Sequence, residues 1–370
     1  MCTFLAVNLN RLQGQGAYDP LDPDAPTRLE LLEYLATELG ASDAELVTFK
    51  DSLPELAGLL TIRGPASLTL EEVAEQAGVG IQTIRNLALA AGIPDPEPEV
   101  PMFNEGFVAF ASAMTEVGAI FGDEACIQIS RVLGSAMARI ADAVLSSFLV
   151  NVAPAARDRD PAGLGLARAN VAAASLLDVV APALDGLLRQ QLLIAQRSAS
   201  DEARVDGAGF ETRQLIVGFV DLVGSTEMGE KLDMVEFSAM LADFERICLE
   251  TITEGGGRLV KLIGDEIMYT APDAFAASSI ALDLADAFQD HDTIPQIRAG
   301  LAGGPVMLRD GDIFGPTVNL ASRVVNTAKP GEVLTTTDVA EGAELPEVPL
   351  GSFELSGIPG QTTLHRLIRL

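Results

Sequence analysis

The chain has 370 residues, 48% of them hydrophobic, with 24 lysines and arginines against 53 aspartates and glutamates and a formal net charge of −29. That apolar content supports large cores, and the length points to at least two domains. The charge argues against a nucleic-acid binder and against docking on an anionic bilayer, since both need a basic face. Residues 1–210 carry 13 bases and 28 acids and residues 211–370 carry 11 and 25, so neither part hides a basic domain. An anionic substrate would need local cations and metal ions to overcome this field.

Three dispersed cysteines (Cys2, Cys126, Cys248) leave little room for a disulfide framework or a zinc site, and two histidines (His291, His365) leave little for histidine-based catalysis. The apolar start, residues 2–9, has neither a basic flank nor a cleavage site. The longest uncharged apolar stretch, residues 143–156, is broken by Ser146, Ser147, Asn151 and Pro154. The expectation is a cytoplasmic chain without a membrane span.

In chain order, Thr27 with Glu30 and Thr69 with Glu72 have capping-box spacing and predict two helix starts. Residues 70–85, Leu-Glu-Glu-Val-Ala-Glu-Gln-Ala-Gly-Val-Gly-Ile-Gln-Thr-Ile-Arg, predict a helix–turn–helix. Its second helix carries one base, Arg85, and its first carries Glu71, Glu72 and Glu75, so a packed helical hairpin is preferred over a DNA reader. A Pro-rich acidic break follows (Pro94, Pro96, Pro98, Pro101). Residues 103–196 then read as nearly all helix. Within them, residues 172–196 predict a helix buried on most of its surface, within this chain or against a partner chain, with Asp178, Asp185 and Arg189 near one face. Residues 197–210 read as a linker.

Beyond it the pattern changes to mixed α/β. Strands are predicted at residues 214–220, 258–260, 267–270, 296–301, 333–336 and 364–368, with helices at 235–253 and 274–288.

Three segments carry the polar residues suited to chemistry. Residues 217–226, Val-Gly-Phe-Val-Asp-Leu-Val-Gly-Ser-Thr, form an apolar strand ending in Asp221, then a small turn through Val223, Gly224, Ser225 and Thr226. Such a turn offers backbone N–H groups to phosphate oxygens, and a carboxylate beside it suits Mg²⁺; a plain helix cap is the alternative. Residues 259–269, Leu-Val-Lys-Leu-Ile-Gly-Asp-Glu-Ile-Met-Tyr, place a hairpin turn at Gly264 and Asp265. Lys261, one of four lysines in the chain, stands inside an apolar strand, where it either reaches an edge or serves a site. Residues 311–323, Gly-Asp-Ile-Phe-Gly-Pro-Thr-Val-Asn-Leu-Ala-Ser-Arg, put Asp312 in a turn and Asn319 and Arg323 one helical turn apart. An Asn and an Arg on one face can orient a ribose and neutralise a phosphoryl group.

Together these segments resemble the class III nucleotidyl cyclases, the adenylate and guanylate cyclases, over residues 211–370. The resemblance implies a ferredoxin-like α/β domain with a mostly antiparallel sheet. It implies that Asp221 and Asp265, with the Leu222 backbone, bind two Mg²⁺ or Mn²⁺ ions, and that Lys261 and Asp312 read adenine. Asn319 would position the ribose and Arg323 would stabilise the charge developing on the α-phosphoryl. An ammonium donating to adenine N1 and a carboxylate accepting from the exocyclic amine select ATP over GTP. The implied reaction is ATP to cyclic AMP and pyrophosphate, in a homodimer with two interface sites. The family's frequent basic residue near the C-terminal turn is missing, since residues 331–365 contain no Lys or Arg.

Residues 1–196 are similar to the helical regulatory domain of some actinobacterial cyclases, through Tyr18, Asp19, Asp22 and Asp24 and through Phe103 to Glu105. In that group the domain restrains the catalytic dimer, and some members respond to pH. An apolar ligand between the long helices is a further option. Rival readings are a diguanylate cyclase, on Gly264-Asp265-Glu266, and a catalytically silent dimerising sensor.

Overall fold

A computed structural model describes residues 7–64, 68–94, 101–160, 163–199, 204–205 and 211–369. The chain divides into two compact units, Met1–Gln191 and Leu192–Leu370.

The first unit is helical: α1 (Leu9–Gly14), α2 (Ala25–Thr37), α3 (Asp43–Thr48), α4 (Leu53–Arg63), α5 (Leu70–Ala77), α6 (Ile81–Ala90), α7 (Glu105–Phe121), α8 (Asp123–Asn151), α9 (Ala153–Arg159) and α10 (Leu164–Ser175), with α11 (Leu177–Ala199) crossing the boundary. It holds two cores. Leu12, Leu31, Leu35, Leu46, Leu53 and Leu56 gather α1 to α4, and α10 adds Ala167. Leu70, Val73, Ile84, Leu87, Met114 and Cys126 gather α5 to α8. The predicted helix–turn–helix is present, with Thr69 and Glu72 making a reciprocal capping box and Gly78 left-handed at the turn. The other capping pattern is not a cap. Helix α2 begins two residues before Thr27, after Asp24, and the Thr27 hydroxyl donates to the Asp24 carbonyl at 2.8 Å. Pro26 in the first turn moves the start upstream, because proline suits the first helical positions.

Residues 172–196 depart from expectation more sharply. The helix breaks at Leu176, between α10 and α11. Helix α10 buries Leu166 and Ala167, whereas Leu177, Val179, Leu187, Leu188, Leu192 and Leu193 of α11 are exposed. Within this chain, the described residues do not supply the burial expected there. The membrane reading changes too. Residues 123–159 and 164–196 form helical runs long and apolar enough to cross a membrane, and the most apolar 18-residue window of each is not buried. Isolated charges such as Arg139 and Asp142, or Asp178 and Asp185, shorten the uncharged stretches while leaving each helix apolar on average.

The second unit has strands β1 (Arg204–Val205), β2 (Glu211–Leu222), β3 (Arg258–Ile263), β4 (Glu266–Ala271), β5 (Ile297–Arg309), β6 (Asp312–Phe314), β7 (Val333–Thr336), β8 (Glu347–Phe353) and β9 (Thr362–Leu367). Its helices are α12 (Ser225–Lys231), α13 (Met234–Glu254), α14 (Ala274–Gln289), α15 (Pro316–Thr327) and α16 (Thr337–Ala343). The sheet runs β3-β4-β2-β5-β7-β9-β8, with β1 on β2 and β6 on β5. Only the β5–β7 pair is parallel, so the sheet is mixed and mostly antiparallel.

Side chains alternate along β2. Val220 and Leu222 pack with Phe244 of α13 and Ile280, Leu284 and Phe288 of α14 on one face. Val217 and Phe219 pack with Met268 and with Ala321 and Val325 of α15 on the other. Asp221 therefore lies on the α15 face. Helix α15 reaches β5 only because residue 300 is glycine: a Cβ there would stand 2.1 Å from the Val325 nitrogen.

Two details of this unit were not anticipated. Asp312 opens strand β6 rather than lying in a turn; the turn is Asp310 and Gly311, both at positive φ. Strand β8, with Pro349 and Gly351 flanking a register shift, carries too weak a strand pattern to be read and is tolerated because it is an edge. Of the segment read as a linker, 200–203 and 206–210 lie outside the described residues, as do residues 2–6 and 95–100.

Candidate active site

Three cross-strand neighbours build the first cluster. Asp221 on β2 stands in register with Glu266 on β4 and Arg298 on β5. Directly opposed residues share a face, so the three side chains form a row. Arg298 donates through Nε at 2.7 Å and approaches through Nη2 at 2.5 Å, both to Oδ2 of Asp221. The Asp221 side chain is only 16% exposed.

Asp265 joins from the β3–β4 turn. Its carbonyl accepts the Leu222 N–H at 3.3 Å, which ties the turn to the end of β2. Its carboxylate accepts a short hydrogen bond from the Ser225 hydroxyl. Burial, then the negative charges of Asp221 and Asp265, push the Glu266 carboxyl up to about 7, against the opposing pull of Arg298.

The small turn after Asp221 is built as the sequence suggests. Gly224 sits at φ +77°, a conformation a side chain disfavours. The Val223 N–H is already taken by the Gln296 carbonyl at 3.1 Å. The amides of Gly224, Ser225 and Thr226, at the opening of α12, find no hydrogen-bond partner among the described residues.

Lys261 and Asp312, 51 residues apart, meet at 2.6 Å between Nζ and Oδ2. Both are about one-third exposed. Asp312 also accepts the Ile313 N–H on Oδ1 at 2.8 Å. The Phe314 ring lies against the same ammonium, with its centroid 5.7 Å from Nζ. Arg258 Nη2 donates to the Gly311 carbonyl at 3.3 Å, so the β5–β6 hairpin is held to β3 at two levels.

Asn319 and Arg323 project from α15, and both are exposed. Arg323 Nε donates to the Ser356 carbonyl at 3.0 Å and thereby reaches the C-terminal turn that lacks its own base. No hydrogen bond or ion pair joins the Asp221 cluster to the Lys261 pair among the described residues.

The donor set suits hard divalent cations: two carboxylates beside main-chain oxygens, with no sulfur and no imidazole. No group of three or more His, Cys, Asp or Glu converges as a closed metal cage among the described residues.

Sequence reading missed Arg298 and Glu266. The signal for Arg298 was available: it is a lone cation in an apolar strand, the same pattern that singled out Lys261.

The family model described as the adenylate and guanylate cyclase catalytic domain matches residues 211–365. An adenylate cyclase of Streptomyces coelicolor is 32% identical over 73% of this chain and 70% of its own length. A pH-sensitive adenylate cyclase of Mycobacterium tuberculosis is 28% identical over 82% of this chain and 78% of its own. The crystal structure of the adenylyl cyclase CyaB from P. aeruginosa is 21% identical, covering 44% of this chain and 96% of that one with a TM-score of 0.41. The chain belongs to the class III adenylate and guanylate cyclases and carries their catalytic domain in its second unit.

Proposed function

We propose that this chain cyclises ATP to 3′,5′-cyclic AMP and pyrophosphate, in a homodimer whose two sites each draw residues from both copies. The Lys261–Asp312 pair at 2.6 Å carries the choice of ATP. The ammonium keeps N–H donors for an acceptor such as adenine N1. The carboxylate keeps lone pairs for the exocyclic amine. Guanine presents the reverse, a ring N–H and a carbonyl.

Asp221, Asp265 and the Leu222 carbonyl would hold two divalent ions, Mg²⁺ or Mn²⁺, which when bound neutralise the triphosphate and acidify the ribose 3′-hydroxyl. Arg298 adds a fixed cation beside Asp221 and is the base the C-terminal turn lacks, placed to take phosphate charge. The unengaged amides of Gly224, Ser225 and Thr226 would receive phosphate oxygens. Asn319 would orient the ribose. Arg323, released from Ser356 or reaching past it, would stabilise the α-phosphoryl as pyrophosphate departs.

The separation of the carboxylate cluster from the purine-reading pair within one chain favours sites completed by a second copy. Complementation tests this. Asp221→Asn and Arg323→Ala should each be inactive alone. Mixed in equal amounts and allowed to exchange, they should recover about a quarter of wild-type activity, because half the dimers then hold one intact site of two. No recovery despite demonstrated exchange would place all the residues of a site in one chain.

The helical unit is read as a restraint on the catalytic dimer, with protonation as the releasing signal. Similarity to a pH-sensitive relative over most of both chains supports this. Cyclic AMP production by the full chain should rise as pH falls from 8 to 6; a flat profile would remove protonation as the signal.

A further inference from the structure

We infer that Phe314 is a purine-discriminating residue: its ring holds the Lys261 ammonium in the orientation that accepts adenine and refuses guanine. The inference rests on Lys261 and Asp312 being the adenine-reading pair. Lys261 stands on the edge strand β3 with its side chain 35% exposed. A lysine head on a four-carbon stem is mobile, and one hydrogen bond leaves it free to swing. Asp312 holds it from one side.

Two residues on, Phe314 supplies a second constraint. Ile313 between them is buried in the core at 3% exposure, so Asp312 and Phe314 project together from the other side of β6. Phe314 is 42% exposed, and the Lys261 ammonium stands 5.7 Å from its ring centroid. That is within the range of cation–π attraction. Carboxylate and ring then occupy two sides of the ammonium, and the remaining N–H groups point to the side left open.

Adenine offers the N1 lone pair there. Guanine offers an N1–H, which opposes the donor, and an O6 carbonyl displaced from it. A mobile lysine could turn toward O6 and tolerate guanine, whereas a clamped one cannot. Loss of the ring should therefore weaken ATP binding and relax the base preference together. The hairpin itself does not depend on the ring, since Ile313 anchors it in the core and Arg258 holds the Gly311 carbonyl.

The test measures kcat and KM for ATP and GTP in full-length wild type, Phe314→Leu and Phe314→Tyr. Phe314→Leu should raise KM for ATP about two- to fivefold with kcat changed less than about twofold, and should cut the ATP-over-GTP preference by a similar factor. Phe314→Tyr, which keeps the ring face, should match wild type. An unchanged preference in Phe314→Leu overturns the inference. So does a fall in kcat at constant KM, or a Phe314→Tyr variant as impaired as Phe314→Leu. A wild type that makes no cyclic AMP and binds ATP no better than GTP overturns the adenine reading itself, and this inference with it; an active wild type separates the two.

Discussion

Arg298→Ala removes the only cation bonded to Asp221 among the described residues, and its consequences differ with and without metal. Two contacts, at 2.7 and 2.5 Å, are lost from one carboxylate oxygen. Charge-assisted hydrogen bonds contribute about 1.5–3 kcal/mol, and a carboxylate left mostly buried without a partner carries its desolvation cost as well. Both side chains keep some solvent, 28% and 16%, so the lower part of that range applies, about 2 kcal/mol. For a domain of this size that corresponds to roughly 4–8 °C in Tm. The assay is thermal unfolding of the full chain in chelator, following the transition assigned to the catalytic unit. Saturating Mn²⁺ should recover much of the loss, because cations held at the proposed Asp221 and Asp265 site would compensate the unpaired carboxylate and stabilise by mass action. The second readout is turnover. If Arg298 also takes phosphate charge, kcat/KM for ATP should fall about 10- to 100-fold even with Mn²⁺ saturating. A Tm within 1 °C of wild type in chelator, or unchanged turnover in Mn²⁺, would refute the reasoning for the structural or the substrate role respectively.

Asp265→Asn should reduce cyclic AMP formation by about three orders of magnitude at any Mg²⁺ concentration that the wild type can use. Its metal-free Tm should not fall, because an amide oxygen still accepts from Ser225 while one like charge leaves the cluster. Glu266 predicts a pH effect on the metal-free protein. Its carboxyl is raised to about 7 in the fold. The resulting stability is therefore fully present below the ordinary carboxylate range and is lost as pH rises through 7, about 1–2 kcal/mol once its partial exposure is allowed for. Chemical denaturation between pH 5 and 8 would show it, and Glu266→Gln should flatten that profile; an unaltered slope in the variant would assign the effect elsewhere. Gly300→Ala would force a Cβ to 2.1 Å from the Val325 nitrogen and push α15 off β5. A destabilisation of about 1–3 kcal/mol is expected, with Asn319 and Arg323 displaced and kcat lowered more than KM is raised. Wild-type kcat in that variant would mean α15 moves without consequence.

The catalytic unit was legible where local chemistry and tertiary structure agree. The Gly264 turn, the Asp221 strand end and the helix before Arg323 each announce themselves within a dozen residues. Segments decided by distant partners were less legible. Strand β6 is three residues long and exists because β5 is extended beside it, so Asp312 read alone resembles a turn residue. Strand β8 carries a proline and a glycine and is a strand only as the edge partner of β9. In the helical unit, apolar periodicity marked α11 as a helix but not what covers it, since periodicity records which residues avoid water and not who excludes it. Its exposed leucines show that the element and its packing are separate questions.

The same distinction explains why Lys261 was found and Arg298 was not. Both are isolated cations within apolar strands of a chain that carries a net charge of −29. A cation placed in an apolar strand is costly to desolvate unless something nearby compensates it. Lys261 lies four residues from Asp265, so its relevance could be seen within one motif. Arg298 is 77 residues from its partner and becomes meaningful only when β2 and β5 are known to be neighbours in that register. Motif order points to the C-terminal turn for a base, and that turn has none, whereas Arg298 stands on a central strand opposite Asp221. For this fold, therefore, the useful question about each strand cation is which carboxylate the sheet order sets across from it. By that criterion Arg298 belongs with Asp221 and Glu266 in the site, and Arg258, whose Nη2 donates to the Gly311 carbonyl, belongs with the hairpin that holds Asp312 and Phe314.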